Sequence, residues 1–129
     1  MTDVGWQYQR RGADGNGHLF LNGEEVGQGY SGHPPSGLNN PDMEQVRDVG
    51  PIPGGRWLIG TFRSDPHLGP CVAPLTPLIP TDAFGRSGFF IHGDNANGNH
   101  SASDGCVILG LDLRERIRTG PVDSILVVI

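Results

Sequence analysis

Five prolines between residues 63 and 81 constrain the fold of this chain more than any other feature of its sequence. They are Pro66, Pro70, Pro74, Pro77 and Pro80. Proline has no amide hydrogen, so this stretch cannot be a helix and is expected to form only edge strands over the surface. Leu75 and the pair Leu78–Ile79 are expected to point inward. With 21 glycines in 129 residues as well, a helical protein is disfavoured.

Short apolar runs separated by turn signals predict a mostly β fold. The chain of 129 residues is long enough for one core, so residues 1–129 are expected to form a single domain. Alternating apolar and polar residues, turn pairs such as Asn22-Gly23 and β-branched runs mark the strands. The strands are predicted at 6–9, 19–21, 24–30, 56–62, 89–92, 107–109 and, centrally in the sheet, 124–129. One short helix is predicted over 111–118 near the C-terminus, with Asp112 as its N-cap.

The charge of the chain excludes some classes of partner. All nine basic residues are arginine, and 14 acids give a net charge of −5. Nucleic-acid binding relies on clustered positive charge, so no nucleic-acid partner is expected. No run approaches the ~18 apolar residues of a membrane span. The first residues have no signal-peptide pattern, so synthesis in the cytoplasm is expected, and work outside the cell would need a separate export machine.

A histidine and a cysteine border a loop in the second half of the chain. His92 ends one apolar run, Cys106 precedes another, and the small polar residues between them are expected to fold back so that the two side chains meet. An imidazole can take the thiol proton and stabilise the thiolate, the reactive form of cysteine. Gly105 lets the backbone approach a substrate closely, and the N–H groups of Gly105 and Cys106 are candidates for an oxyanion hole.

Other polar residues near this pair are candidates for substrate binding. A guanidinium at Arg86 could hold a substrate carboxylate, although a plain surface arginine is equally compatible with the sequence. Ser87, Asp94 and Asp104 could each orient His92, and the sequence does not rank them. Cys71 is predicted to be a buried small residue, and whether it pairs with Cys106 stays open.

Residues 85–94 and 102–108 resemble the active-site signature of L,D-transpeptidases, in which a His-Gly pair precedes Ser-x-Gly-Cys. In this chain the signature comprises His92-Gly93 and Ser103-Asp104-Gly105-Cys106. The whole chain more closely resembles the small L,D-transpeptidase-like effectors that bacteria deliver by type VI secretion. Three upstream segments match that family's pattern in order, over roughly residues 6 to 129: Tyr30-Ser31-Gly32, Asn39-Asn40-Pro41 and Gly50-Pro51-Ile52-Pro53-Gly54-Gly55-Arg56-Trp57.

The resemblance implies an L,D-transpeptidase-like β-sandwich or barrel that acts on peptidoglycan tetrapeptide stems. It implies Cys106 as nucleophile, His92 as base, Gly105 at the oxyanion, and substrate contacts from Gly93 and Ser103 besides the residues above. The implied activity is L,D-carboxypeptidase or L,D-transpeptidase, without metal or cofactor. An antibacterial toxin in the periplasm of target bacteria follows, with a cognate immunity protein and type VI secretion components as partners. Unlike many L,D-transpeptidases, the chain has Asp104 rather than histidine before Gly105.

Two alternatives come from the residues themselves. His92, Asp94, His100 and Cys106 carry donors that zinc accepts, which would make the protein a metal-dependent cell-wall hydrolase. Their spacing fits no common zinc motif. The other alternative is a non-enzymatic wall-binding β module in which Cys106 only packs.

Overall fold

A mostly β fold with one short α-helix near the C-terminus is observed in the computed structural model, which describes residues 5–95 and 102–129. The predicted fold class is therefore confirmed. The strands are β1 Trp6–Gln9, β2 Gly17–Leu21, β3 Glu24–Ser31, β4 Gly55–Ile59, β5 Arg63–Asp65, β6 Gly69–Pro77, β7 Phe90–His92, β8 Val107–Leu109 and β9 Ser124–Val128. The helix α1 spans Leu111–Thr119, and a 3-10 turn spans Pro41–Met43 in the long connection between β3 and β4.

Eight of the strands close into a barrel. Their order around it is β4-β9-β1-β2-β3-β8-β7-β6, and pairing of β6 with β4 completes the circle. The ninth strand, β5, pairs only with β6 among the described strands. Closure removes the free edges that an open sheet of this size would present. The C-terminal strand β9 lies between β1 and β4, which confirms the prediction of a central strand there.

Alternation along the strands fills the barrel with apolar side chains. In β1, Trp6 and Tyr8 are buried while their neighbours are half-exposed, and in β9 Ile125 and Val127 do the same. Successive side chains of a strand point to opposite faces, so this period of two aims one set inward. Trp57 of β4 packs edge-on against Phe89, with ring centroids 5.0 Å apart. The core therefore reaches the segment that precedes β7.

The proline-rich segment is placed differently from the prediction. Strand β6 contains three of its prolines, yet it pairs with β7 on one side and with β5 and β4 on the other. Pro74 lies between the last residue paired with β5, Val72, and the first paired with β4, Leu75. The N–H that Pro74 lacks is therefore not needed, because position 74 faces the gap between the short partner strands β5 and β4. The Pro74 carbonyl accepts the Gly60 N–H at 2.8 Å.

Burial in that segment follows the pairing. Val72, Ala73 and Leu75 are buried, so the expectation that this stretch runs over the surface was wrong. Leu75 points inward as predicted, but Ile79 is 99% exposed. Ile79 follows the end of β6, where no strand holds it against the core.

Strands β7 and β8 are parallel. Ile91 lies beside Val107 and His92 beside Ile108. Parallel neighbours need a crossover connection. The sequence predicted a loop that folds back between His92 and Cys106. Residues 96–101 of this connection lie outside the described residues.

Helix α1 begins with Gly110 as its N-cap, without a side-chain cap. Asp112 was expected to be the N-cap but lies in the first turn of the helix. Its negative charge there still stabilises the helix by interacting with the positive end of the helix dipole. The inward face carries Ile117, as predicted, and also Arg114, which is only 7% exposed. Within residues 5–95 and 102–129, no helix is long and apolar enough to cross a membrane.

Candidate active site

Cys106 and His92 line one cleft of about 320 Å³. His92 ends β7, and Cys106 directly precedes β8. Extending the β7–β8 register by one residue places Cys106 beside Phe90, so Cys106 and His92 are two positions apart and face the same side. The two predicted catalytic side chains are thus brought together. The remaining cleft residues are Asp48, Leu68, Ser87, Gly88, Phe89, Phe90, Ala102, Asp104 and Gly105.

The imidazole of His92 is oriented by its own neighbour. Its Nδ1 lies 2.8 Å from the Gly93 carbonyl oxygen. A carbonyl can only accept, so Nδ1 carries the proton and Nε2 of the neutral ring keeps its lone pair. Burial, with the side chain 3% exposed, lowers the pKa of His92 below its usual 6.5. The histidine is therefore held as a neutral base.

The thiol of Cys106 is held in its neutral form. Burial raises the pKa of Cys106 to about 11, and the Asp104 carboxylate adds to the rise. The thiol lies 3.7 Å from the Gly88 carbonyl, to which it donates, and its sulfur accepts from the Phe90 N–H. Burial and the Asp104 carboxylate thus oppose a resting thiolate, whereas the sequence predicted that the nearby imidazole would stabilise one. The free protein pairs a protonated thiol with a neutral base.

The turn before Cys106 is fastened by Ser103, which is fully buried. Its Oγ accepts the N–H groups of Gly32 at 2.9 Å and Gly105 at 3.1 Å, and donates to the Cys106 carbonyl at 2.6 Å. The predicted substrate contact from Ser103 is thus corrected, since its hydroxyl is fully used inside the fold. The Gly105 N–H is likewise engaged and does not point to a substrate.

Glycine is required at position 105 for steric and conformational reasons. Its φ is +141°, and a Cβ there would lie 2.6 Å from Nη2 of Arg86 and 2.9 Å from the Phe89 ring. The sequence predicted that glycine here would let a substrate approach the backbone closely. The group that approaches, however, is the Arg86 guanidinium.

Arg86 binds the backbone instead of presenting its charge to the cleft. Its Nη1 donates to the carbonyls of Glu44 at 2.6 Å and Pro51 at 2.9 Å. Its Nη2 donates to the carbonyls of Gly50 at 2.9 Å and Asp104 at 3.1 Å. The predicted role in holding a substrate carboxylate is therefore corrected: Arg86 ties the 44–51 segment to the residues before Cys106.

The three upstream segments meet beneath this turn. The Ser31 hydroxyl donates to the Gly105 carbonyl at 3.1 Å and accepts the Ile52 N–H at 2.9 Å. The Ser31 N–H in turn donates to the Asn39 side chain at 3.2 Å. Ser31 is fully buried and Asn39 is 6% exposed. Distant parts of the sequence therefore fix the position of one short turn.

The remaining predicted residues have mixed positions. Ser87 is exposed and lines the cleft, as does the exposed Asp104. The Asp94 carboxylate accepts the Tyr30 hydroxyl at 2.6 Å, and Gly93 supplies the carbonyl that holds His92. None of Ser87, Asp94 and Asp104 orients His92 in the described part of the chain. Asp104 Oδ1 instead lies 3.1 Å from Nδ1 of His33, without hydrogen-bond alignment.

Two groups near the site were missed by sequence reasoning. Arg114 donates from Nε to the Leu109 carbonyl at 2.9 Å and from Nη1 to the Pro70 carbonyl at 2.8 Å, and its charge lowers the pKa of His92 further. The helical pattern of the sequence indicated only that Arg114 is one of three arginines on a surface helix.

Arg47 and Asp48, beside Ser87 and Asp104, line a second cavity of about 230 Å³. The sequence pointed to Arg47 and Asp48 only through the long irregular connection that carries them, because such long connections are usually functional.

Both cysteines are free thiols. Cys71 is half-buried, not buried as predicted, and donates from Sγ to Glu115 at 3.1 Å. Within residues 5–95 and 102–129, no group of three or more His, Cys, Asp or Glu side chains is arranged to hold a metal ion. His100, one of the four suggested zinc ligands, lies outside the described residues.

The comparison with protein families identifies the chain's relatives. Residues 25–119 match the Tlde1 domain. The chain belongs to the Tlde1 domain family. This is a family of type VI secretion effectors, enzymatic proteins secreted into target cells, so secretion components and an immunity protein are the implied partners. No curated protein matches the chain. The Tlde1 match includes Arg47, Asp48, Arg86, His92 and Cys106, and ends at the last residue of α1.

Proposed function

We propose that this Tlde1-family protein is a cysteine acyl transferase that acts on peptidoglycan tetrapeptide stems. The observation that carries the proposal is the shared cleft of Cys106 and His92, with Nε2 of His92 left as the free base by the Nδ1 bond to Gly93. A cysteine and a base on one face of a cleft are the minimal equipment of nucleophilic acyl transfer. The resemblance of the His-Gly and Ser-x-Gly-Cys motifs to L,D-transpeptidases supplies the substrate.

The reaction begins from the neutral pair. As Sγ of Cys106 attacks the carbonyl at the L-centre of diaminopimelate, its proton passes to Nε2 of His92, and a tetrahedral oxyanion forms. The imidazolium then gives this proton to the amine of the terminal D-alanine as the C–N bond breaks, which leaves a thioester on Cys106. Water resolves the thioester to a tripeptide, which is L,D-carboxypeptidase activity. The amine of a D-amino acid or of another stem gives exchange or cross-linking.

Proton transfer within the step suits the electrostatics of the site. A thiol with pKa about 11 and a histidine with lowered pKa do not form an ion pair in the free protein. The thiolate would therefore arise only as the new C–S bond forms, with His92 acting as a general base. Ser87 and Asp104 are both exposed at the cleft, and in this proposal they would contact the stem peptide.

The biological outcome in this proposal is antibacterial. Removal or exchange of the fourth residue of the stems would alter the cell wall in the periplasm of the target bacterium. The chain itself, residues 1–129, would act as a single catalytic domain without metal or cofactor.

The test is mass spectrometry of tetrapeptide muropeptides incubated with the protein. Loss of D-alanine, or its replacement by an added D-amino acid, is expected with the wild type and not with Cys106→Ala. Cys71→Ala is the matched control and should retain activity, because Cys71 lines a different cavity, beside Glu115. Activity that survives in Cys106→Ala, or unchanged muropeptides with every variant, would contradict the proposal.

A further inference from the structure

The polar cavity beside the catalytic cleft extends it toward an arginine. The two cavities share Asp48, Ser87 and Asp104, so they form one continuous groove. Cys106 and His92 line one end, and Arg47 lines the other. We propose that Arg47 is the specificity-determining residue of this groove and binds the free carboxylate at the C-terminus of a short peptide substrate. The proposal rests on the proposed acyl transfer for the identity of the peptide.

Arg47 differs from the other arginine of the groove in what its guanidinium contacts. Arg86 is 7% exposed and donates to four backbone carbonyls. Arg47 is exposed, and within residues 5–95 and 102–129 its side chain makes no hydrogen bond or ion pair. A guanidinium matches a carboxylate with two parallel hydrogen bonds. Arg47 therefore offers the groove a cation whose donors are open to a ligand.

The other charges of the groove make this cation necessary for an anionic ligand. Asp48 and Asp104 line both cavities and are exposed. Asp104 lies 3.1 Å from Nδ1 of His33, and Asp48 interacts electrostatically with the buried Arg86. Without Arg47, a ligand carboxylate would face two carboxylates and a guanidinium already bound to backbone. Loss of Arg47 should therefore turn attraction into repulsion.

Asp48, the next residue after Arg47, provides a variant with the opposite expected effect on carboxylate binding. Asp48 has a φ of +61°, a conformation that asparagine also adopts readily. Asp48→Asn keeps the shape and removes one negative charge, so it should strengthen binding of a carboxylate. Arg116 supplies the control, because it is an exposed arginine on α1 that lines neither cavity of the groove.

The experiment measures binding separately from turnover. In the Cys106→Ala background, calorimetry compares the tetrapeptide L-Ala-γ-D-Glu-diaminopimelyl-D-Ala with its C-terminal carboxamide at low salt. The acid is expected to bind about 2- to 5-fold more tightly than the amide at low salt, the range for an ion pair with an exposed side chain. Adding Arg47→Ala should reduce this ratio to about 1 or below. Arg47→Lys should keep part of it, Asp48→Asn should raise it, and Arg116→Ala should leave it unchanged.

Three results would overturn the inference. They are equal binding of acid and amide before Arg47 is changed, an acid preference that survives in Arg47→Ala, and no binding of either peptide. Release of D-alanine by chains that retain Cys106 is scored separately. Arg47-dependent preference without any release would refute the proposed acyl transfer and leave the carboxylate site standing. Release of D-alanine together with an acid preference that does not depend on Arg47 would support the acyl transfer and refute the carboxylate site.

Discussion

Alkylation of Cys106 across pH tests how the nucleophile is held. The perturbation is iodoacetamide added to a Cys71→Ser variant, in which Cys106 is the one cysteine left of the two in the sequence. With a pKa of about 11, roughly 0.01% of Cys106 is thiolate at pH 7, against about 3% for a free thiol of pKa ~8.5. Ionisation alone therefore slows the reaction about 300-fold.

The higher basicity of the Cys106 thiolate partly offsets this loss of alkylation rate. A thiolate becomes more nucleophilic as its pKa rises, with a Brønsted coefficient of about 0.4–0.5, which gives roughly a tenfold to twentyfold gain over 2.5 units. Alkylation at pH 7 should then be about 20-fold slower than for a free thiol of pKa ~8.5, and slower still where the half-buried cleft hinders the reagent. The rate should rise close to tenfold per pH unit from pH 7 to 10.

The assay is intact-mass spectrometry of timed samples, with His92→Gln measured in parallel. Because the imidazole does not stabilise a resting thiolate, His92→Gln should leave the alkylation profile nearly unchanged while it abolishes turnover. Fast labelling that is flat between pH 5 and 8 and lost in His92→Gln would refute the reasoning. Such a profile would mean that a thiolate–imidazolium pair exists before substrate arrives.

Four further predictions concern the residues that support the site and the titration of His92. Ser31→Ala leaves the Gly105 carbonyl and the Ile52 N–H without their partner, so urea unfolding should reveal a loss of about 2–4 kcal/mol, against less than about 0.5 kcal/mol for the exposed control Ser36→Ala. Gly105→Ala should destabilise the fold by about 1–3 kcal/mol, because it strains φ and displaces Arg86, and differential scanning calorimetry would detect it. Since burial lowers the pKa of His92, its neutral form persists below pH 6.5, so kcat/KM for D-alanine release should hold as pH falls through 6.5 and decline only below it; a decline centred at 6.5 or above would contradict the burial argument. Protonation of His92 favours the unfolded chain, so its share of stability is present above about pH 6.5 and lost as pH falls, a loss that His92→Gln should remove.

Local patterns predicted strands such as β1 and β9 well because each of these two carries its own period of two. Trp6 and Tyr8 alternate with polar neighbours, and the branched residues of β9 need no distant information to be assigned to a buried strand. The prolines of β6 were misjudged because a local pattern does not show which strands will pair with β6. Whether a missing N–H is harmful depends on which partner strand faces it, and the gap opposite Pro74 exists only in the assembled barrel.

The catalytic candidates were predictable, while the groups that position them were not. His92 and Cys106 stand at the ends of apolar runs, which is visible locally. Arg86 reads as a surface arginine until the 44–51 segment folds over it, and its four carbonyl partners come from three places in the chain. Motif resemblance marked Ser31 and Asn39 as significant without indicating what they do.

The register of β7 and β8 connects the barrel to the proposed chemistry. Cys106 and His92 face one cleft because they lie an even number of positions apart across a parallel pair, and a slip of one residue would turn one of them to the opposite face. Neither three-residue strand is long enough to fix this register alone. Strand β6 holds β7 through Ala73 and Ile91, and β3 holds β8 through Ser31 and Val107. Ser31 also bonds to Gly105, so one residue sets both the register of β8 and the turn before Cys106.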